Sequence, residues 1–190
     1  MIPIVGFKSN RSRIPFVYNY DRLLVLGMSG SGKTYFSNGL VRLIGKHYNY
    51  MVFTMKVDDF YPRDHIYIPK SEDLETEINE FVKYGLFHAP ITLAWEDIPN
   101  YLYGVKKLPL YMKKYLIMGR QVGIGHIFIT QKLKGIPTLI PMQSNKYALF
   151  KTVDMRDFQL LRLPSIDNLV DIPRYKFYYY DVDKGIEAVL

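Results

Sequence analysis

The sequence predicts an α/β domain with a mostly parallel central sheet, helices on its faces and a β-hairpin at the C-terminal end. Two observations predict it. Short apolar runs alternate with segments of helical periodicity, the pattern of repeated strand–helix units. The stretch VLGMSGSGKTYFS, Val25 to Ser37, also sets a glycine-rich loop between an apolar run and an amphipathic segment. That order suits a strand, a phosphate-cradling loop and a helix.

The elements follow in chain order. Residues 1–20 carry Pro3, Pro15 and several basic residues, and read as an arm or an edge strand. RLLVLG, from Arg22, reads as a buried parallel strand. TYFSNGLVRLIG places Phe36, Leu40, Leu43 and Ile44 on one helical face. MVFTMKVDDFY is a second strand with a solvated loop at Asp58 and Asp59. In SEDLETEINEFVKYG, Leu74, Ile78, Phe81 and Val82 recur at helical spacing, with Ser71 as N-cap and Gly85 as stop. PITLAWEDIPN carries a strand from Ile91 to Trp95. LPLYMKKYLIMGRQ is a helix with Pro109 in its first turn. HIFITQ is a buried strand ending on Thr130 and Gln131, KYALFK is another, and MRDFQLLRL is a short helix. YKFYYYDV and IEAVL form a hairpin around Asp183, Lys184 and Gly185. With no repeats and no low-complexity linker, residues 1–190 read as one domain: an arm (1–20), a core (21–162) and C-terminal strands (163–190).

Composition excludes several classes. The 190 residues are 48% hydrophobic and 23% charged, a globular balance. Without cysteine there is no disulfide and no thiolate metal site. His47, His65, His88 and His126 are scattered without ligand-like spacing. No apolar run reaches the roughly 18 residues of a bilayer span, and the N-terminal stretch lacks the order of a signal peptide, so a cytosolic protein is expected. The formal net charge of +7 fits a polyanionic partner as well as it fits a soluble basic protein. Seventeen tyrosines beside no cysteine suit a thermophilic or viral source.

The chemistry starts with Gly27, Gly32, Lys33 and Thr34, which satisfy G-x-x-x-x-G-K-[ST]. Glycines let backbone N–H groups turn inward around a phosphate, and the helix N-terminus adds its positive end. The nucleotide-binding set is therefore Gly27, Met28, Ser29, Gly30, Ser31, Gly32, Lys33, Thr34 and Tyr35. Lys33 would reach the β- and γ-phosphates, and Thr34 would ligate Mg²⁺. Such a loop needs a second, acidic strand. Glu96 and Asp97 follow the Ile91–Trp95 strand: the first acid commonly holds Mg²⁺ through water, the second polarises the attacking water. The order Glu-Asp, where Asp-Glu is commoner, leaves that division open. Asp58 and Asp59 are a rival acidic pair, ranked lower because they come so soon after the loop. Gln131, polar at the end of an apolar strand, has the character of a γ-phosphate sensor. Together these predict a P-loop NTPase fold of the RecA/ASCE-like kind.

GRQVGIGHIFITQKLKGIPTLIPMQSNKYALFK resembles the HerA/FtsK group of DNA-pumping ATPases. The matching features are Arg120, the turn Gly123-Ile124, the strand ending Thr130-Gln131, and Asn145 before the next strand. The resemblance runs from about Leu23 to about Arg162. The short chain is most similar to the genome-packaging ATPases of tailless icosahedral archaeal viruses, of the Sulfolobus turreted icosahedral virus type. That resemblance implies ATP and Mg²⁺ as cofactors and a ring homo-oligomer, hexamer or pentamer. It implies threading of double-stranded DNA without sequence preference, contact with capsid vertex proteins, and a site of action in host cytoplasm, virion or procapsid. It makes Arg120 the first candidate for a finger acting on the neighbouring subunit, with Lys151, Arg156 and Arg162 as alternatives. Lys132 to Gly135 (KLKG) and Lys106-Lys107 (in YGVKK) are candidate pore loops. A related pump for plasmid transfer or replicon maintenance shares the same core. A P-loop kinase would usually bring an arginine-rich lid, which the sequence lacks, and a nucleotide switch is the remaining alternative. Intact Lys33, Thr34 and Glu96 speak against a degenerate loop.

Overall fold

The computed structural model describes residues 21–56, 60–152, 156–161, 172–182 and 185–189. The N-terminal arm, Asp58 and Asp59, Arg162, and the hairpin-turn residues Asp183 and Lys184 lie outside the described residues.

The strands are β1 (Arg22–Leu26), β2 (Asn49–Phe53), β3 (Ile66–Tyr67), β4 (Ile91–Trp95), β5 (Ile124–Thr130), β6 (Lys146–Phe150), β7 (Phe177–Asp181) and β8 (Gly185–Val189). The helices are α1 (Lys33–Ile44), α2 (Leu74–Phe87), α3 (Pro99–Leu102), α4 (Leu110–Met118), α5 (Leu139–Met142) and α6 (Arg156–Leu161). Among the described residues the strands form one sheet in the order β3-β2-β4-β5-β1-β6-β7-β8. Every pairing from β3 to β6 is parallel. The β7–β8 pairing is antiparallel, as the expected hairpin requires, and β6–β7 is antiparallel as well.

The apolar runs read as parallel strands are buried at every position of β1, β4, β5 and β6. Parallel strands need cover on both faces, so they carry near-continuous apolar sequence. Alternate residues feed two cores. Leu24, Leu26, Phe53, Trp95 and Phe128 pack under α2 and α4, joined by Phe81, Met112 and Leu116. Leu23, Val25, Ile127 and Ile129 face the other way and meet Phe36, Leu40, Val41 and Ile44 of α1. Phe81 stands edge-on to Trp95, with centroids 4.7 Å apart at 85°.

Three helix boundaries differ from expectation. The N-cap of α2 is Asp73, whose carboxylate accepts from the Thr76 N–H at 3.2 Å. Ser71 sits two residues back, its hydroxyl accepting from the Asp73 N–H at 3.2 Å. Aspartate caps as well as serine, and here it lies nearer the first apolar position. Gly85 does not stop α2, which runs on to Phe87. A Cβ at Gly85 would lie 2.7 Å from Leu93 Cδ1, so this glycine lets α2 settle onto β4. Pro109 is the N-cap of α4, one residue before its first turn. The two-residue β3 and the four-residue α3 and α5 are too short to leave a periodic signal.

Candidate active site

The predicted site residues of the loop, the acidic strand and the sensor strand gather at the carboxyl ends of β1, β4 and β5, where ligands of parallel α/β sheets bind. Behind β1 the chain turns through Gly27 to Gly32 into α1. Gly30 and Gly32 take φ of 72° and 105°, a left-handed region that favours glycine. The loop is tied to both neighbouring strands. Gly27 N–H donates to the Thr130 carbonyl at 3.3 Å, and Met28 N–H to the Lys151 carbonyl at 2.9 Å. A Cβ on Gly27 would stand 2.5 Å from Phe150 Cβ, so only glycine fits there.

Lys33 opens α1 and is buried, its ammonium donating to the Met28 carbonyl at 2.9 Å. Burial pushes its pKa down to about 8, against the pull of the Asp97 charge. A desolvated ammonium beside a glycine-rich loop at a helix N-terminus is a strong phosphate partner.

Glu96 and Asp97 follow β4 directly, but their environments differ. Glu96 is buried, and its carboxylate accepts from the Thr54 hydroxyl at 3.1 Å. Asp97 is half-buried and takes φ of 53°, a left-handed value that aspartate tolerates better than most residues. Its carboxylate accepts from Gln131 Nε2 at 3.4 Å and from Asn100 Nδ2 at 2.9 Å, and lies 3.7 Å from Lys56 Nζ. Gln131 therefore stands where expected, just past β5 and beside the P-loop strand, already engaged with the second acid. One cavity of about 300 Å³ is lined by Ser29, Gly30, Gly32, Lys33, Thr34, Glu96, Asp97 and Gln131, among others.

The remaining sequence candidates lie elsewhere. Arg120 is exposed in a single helical turn at the amino end of β5, close enough to Arg22 to lower its pKa, though burial of Arg22 is the larger cause. The seven-residue β5 puts about 20 Å between Arg120 and the P-loop of its own chain. Asn145 is also at the amino end, its side chain accepting from the Arg22 N–H at 2.9 Å. Lys151 meets the loop through its backbone, and Arg156 is exposed at the start of α6. The cavity residues that escaped sequence reasoning include Lys56, Phe60, Ile129, Arg174 and Tyr175. Arg174 Nε donates to the Gly30 carbonyl at 3.0 Å, and Tyr175 N–H to the Ser31 carbonyl at 3.2 Å. The available signal was an Arg-Tyr pair just before an aromatic strand, which names no chemistry by itself.

The two predicted pore loops touch each other. Gly104 N–H donates to the Gly135 carbonyl at 2.8 Å, and the Lys132 ammonium lies 5.0 Å from the Tyr103 ring centroid. Asp157 accepts from the Leu133 and Lys134 N–H groups at 2.9 and 3.2 Å, fastening one loop to α6.

No protein-family model matches the chain, and no curated protein matches it in sequence. Among solved structures it is similar to B204, the DNA-packaging ATPase from Sulfolobus turreted icosahedral virus, with a TM-score of 0.73 and 14% identity over 92% of this chain and 97% of that one. The genome-packaging NTPase B204 from Sulfolobus turreted icosahedral virus 2, in complex with ATP-γ-S, gives 0.70 and 14% over 90% and 96% of the two chains. The cytoplasmic domain of the Thermomonospora curvata type VII secretion ATPase EccC gives 0.64 and 14% over 94% of this chain and 24% of that one. The likeness is one of fold: a P-loop NTPase sheet with helices on both faces.

Proposed function

We propose that this chain is an ATPase of the HerA/FtsK type that moves double-stranded DNA, and that its cargo is a viral genome entering a preformed capsid in the host cytoplasm. The observation that carries the reading is the single cavity in which Lys33 and Thr34 face Glu96, Asp97 and Gln131 across three adjacent parallel strands. The fold shared with packaging and secretion ATPases supports it.

Each residue has a task in this reading. Backbone N–H groups from Ser29 to Tyr35 surround the phosphates, and Lys33 draws charge from the β- and γ-phosphates. Glu96, held by Thr54, and the Thr34 hydroxyl supply hard oxygen donors of the kind Mg²⁺ prefers. Among the described residues no cluster of three or more His, Cys, Asp and Glu exists. That fits Mg²⁺, which takes one or two protein oxygens and leaves the rest to phosphate and water. When bound, the ion neutralises charge on the β- and γ-phosphates. Asp97 is the better-placed group to polarise a water, because Gln131 and Lys56 converge on it. Gln131 orients that water and reads the γ-phosphate.

Arg120 completes the site of a neighbouring subunit in a ring of identical chains, since it lies too far from its own P-loop. The joined loops carrying Tyr103, Lys106, Lys107, Lys132 and Lys134 face the DNA phosphates. Asp97 leads through α3 into one of them, and Gln131 leads directly into the other, so phosphate loss at the site acts on both together.

The test is ATP hydrolysis by the purified chain with and without double-stranded DNA. Lys33→Ala and Arg120→Ala are each expected to abolish it. Mixing the two inactive variants is expected to restore part of it, because an intact Arg120 then reaches an intact Lys33. Phosphate transfer to a small acceptor without net hydrolysis would overturn the reading in favour of a kinase.

A further inference from the structure

Past Tyr35 the two flanks of the P-loop differ in chemistry. One flank of the loop faces β5 and β4, beyond whose ends lie Gln131, Glu96 and Asp97. The other flank of β1 is β6, followed by β7. There a second cleft of about 260 Å³ is lined by Gly32, Tyr35, Phe36, Phe150 and Tyr175. It shares Gly32, Tyr35 and Tyr175 with the phosphate cavity, so the two spaces adjoin along the loop.

Its walls are aromatic. Phe36 and Phe150 meet edge-on beneath it at 5.7 Å, while Tyr35 and Tyr175 stay 76% and 59% exposed. Two large rings left in water beside a phosphate site need a reason, and an apolar ligand face supplies one. Tyr175 is also held in an unusual backbone state. Its φ is 69°, a left-handed value uncommon for a side chain of this size. The bonds from Arg174 to Gly30 and from Tyr175 to Ser31 lock it there, and the Arg174 guanidinium lies 5.1 Å from the Tyr175 ring centroid. A Cβ on Gly32 would come within 3.0 Å of Tyr175 Cδ1, so the ring lies against the loop itself. Strain retained beside a ligand loop points to function.

We propose that this cleft is the nucleobase seat, with Tyr175 and Tyr35 holding the base by stacking. The inference rests on the nucleotide-binding reading above and adds its specificity. Among the described residues, those that line the cleft offer no side-chain amide, carboxylate or ammonium. Base edges are told apart by such groups, whereas an aromatic platform responds to ring area. The protein therefore takes purine nucleotides with little distinction between adenine and guanine, and prefers them to pyrimidines.

The experiment is calorimetric titration of the full chain with the Mg²⁺ complexes of ADP, GDP, CDP and inorganic tripolyphosphate. Wild type is compared with Tyr175→Gly, which removes the ring while keeping the backbone state, with Tyr175→Phe, and with Tyr35→Ala. ADP and GDP are expected to bind with similar affinity, and CDP more weakly. Tyr175→Gly weakens ADP by about tenfold and leaves tripolyphosphate unchanged, and Tyr175→Phe restores ADP. Equal losses for ADP and tripolyphosphate would make Tyr175 a brace for the loop and overturn the base seat. So would a preference for ADP over GDP of about a hundredfold or more, the mark of edge recognition. If tripolyphosphate binds wild type but base identity and Tyr175 make no difference, the base seat alone falls. If neither ADP nor tripolyphosphate binds wild type, the nucleotide reading falls with it.

Discussion

The two ends of the central sheet both bury lysines, and they treat them in opposite ways. At the amino end Lys146 lies 3.3 Å from Asp21 and 3.1 Å from Asp181, all three buried. Burial alone would lower the Lys146 pKa, but the two carboxylates outweigh it and hold it above the usual value. At the carboxyl end Lys33 bonds a backbone carbonyl, and burial carries its pKa down to about 8. A buried charge with carboxylate partners is an internal fastening of β1, β6 and β7. A buried charge held only by a carbonyl is costly in the free protein and gains most from an anion. The difference separates the end that holds the fold together from the end that carries the proposed site.

The largest effect expected from breaking this contrast is on activity. Lys33→Ala should lower hydrolysis by about 10²- to 10³-fold or more, measured as phosphate release, while the denaturation midpoint holds or rises because a desolvated charge is gone. Next comes stability at the other end. Lys146→Met leaves Asp21 and Asp181 facing each other in the interior, and should cost about 3–5 kcal/mol in urea unfolding. Adding Asp21→Asn and Asp181→Asn should recover most of that loss.

The pH response sharpens the same comparison. Lys33 has a folded pKa of about 8, below the ordinary lysine value of 10.5, so the unfolded chain holds more protons between those values. Stability of the free protein should therefore gain a rising contribution from Lys33 as pH increases from about 8 to 10.5. Nucleotide affinity should fall over the same interval, and binding above pH 8 should take up a proton, read by calorimetry in buffers of different ionisation enthalpy. Lys146, with its raised pKa, contributes stability that persists below its unfolded value and is lost only at higher pH. The smallest effect belongs to Asn145→Ala, which removes the acceptor of the Arg22 N–H and should cost about 1 kcal/mol with nucleotide affinity unchanged.

Local sequence was legible where one short segment carries its own physics. Gly27 to Thr34 contain the spacing, the flexible positions and the charge expected of a phosphate cradle, and the segment forms a loop with Gly30 and Gly32 in the left-handed region. Apolar runs such as Leu23–Leu26 and Ile127–Ile129 became central strands because nothing else can satisfy continuous apolar sequence on both faces. Helix ends were less legible. Gly85 looks like a stop in isolation, yet it is the flat spot on which Leu93 rests, a fact that depends on β4. Lys56, Arg174 and Tyr175 were invisible as site residues because their partners Asp97, Gly30 and Ser31 are distant in the chain.

The sequence by itself determined the alternation of strands and helices, the phosphate loop, and the acid pair and glutamine at the ends of two strands, because each depends on residues a few positions apart. Tertiary structure decided the rest. It set β1 between β5 and β6, so that acids converge on one flank of the loop and aromatic rings on the other. It put Arg120 at the amino end of the sheet, away from the P-loop, and joined the two basic loops through Tyr103 and Gly135. Strand order and long-range pairing follow from the collective packing of two cores, which no local window of sequence contains.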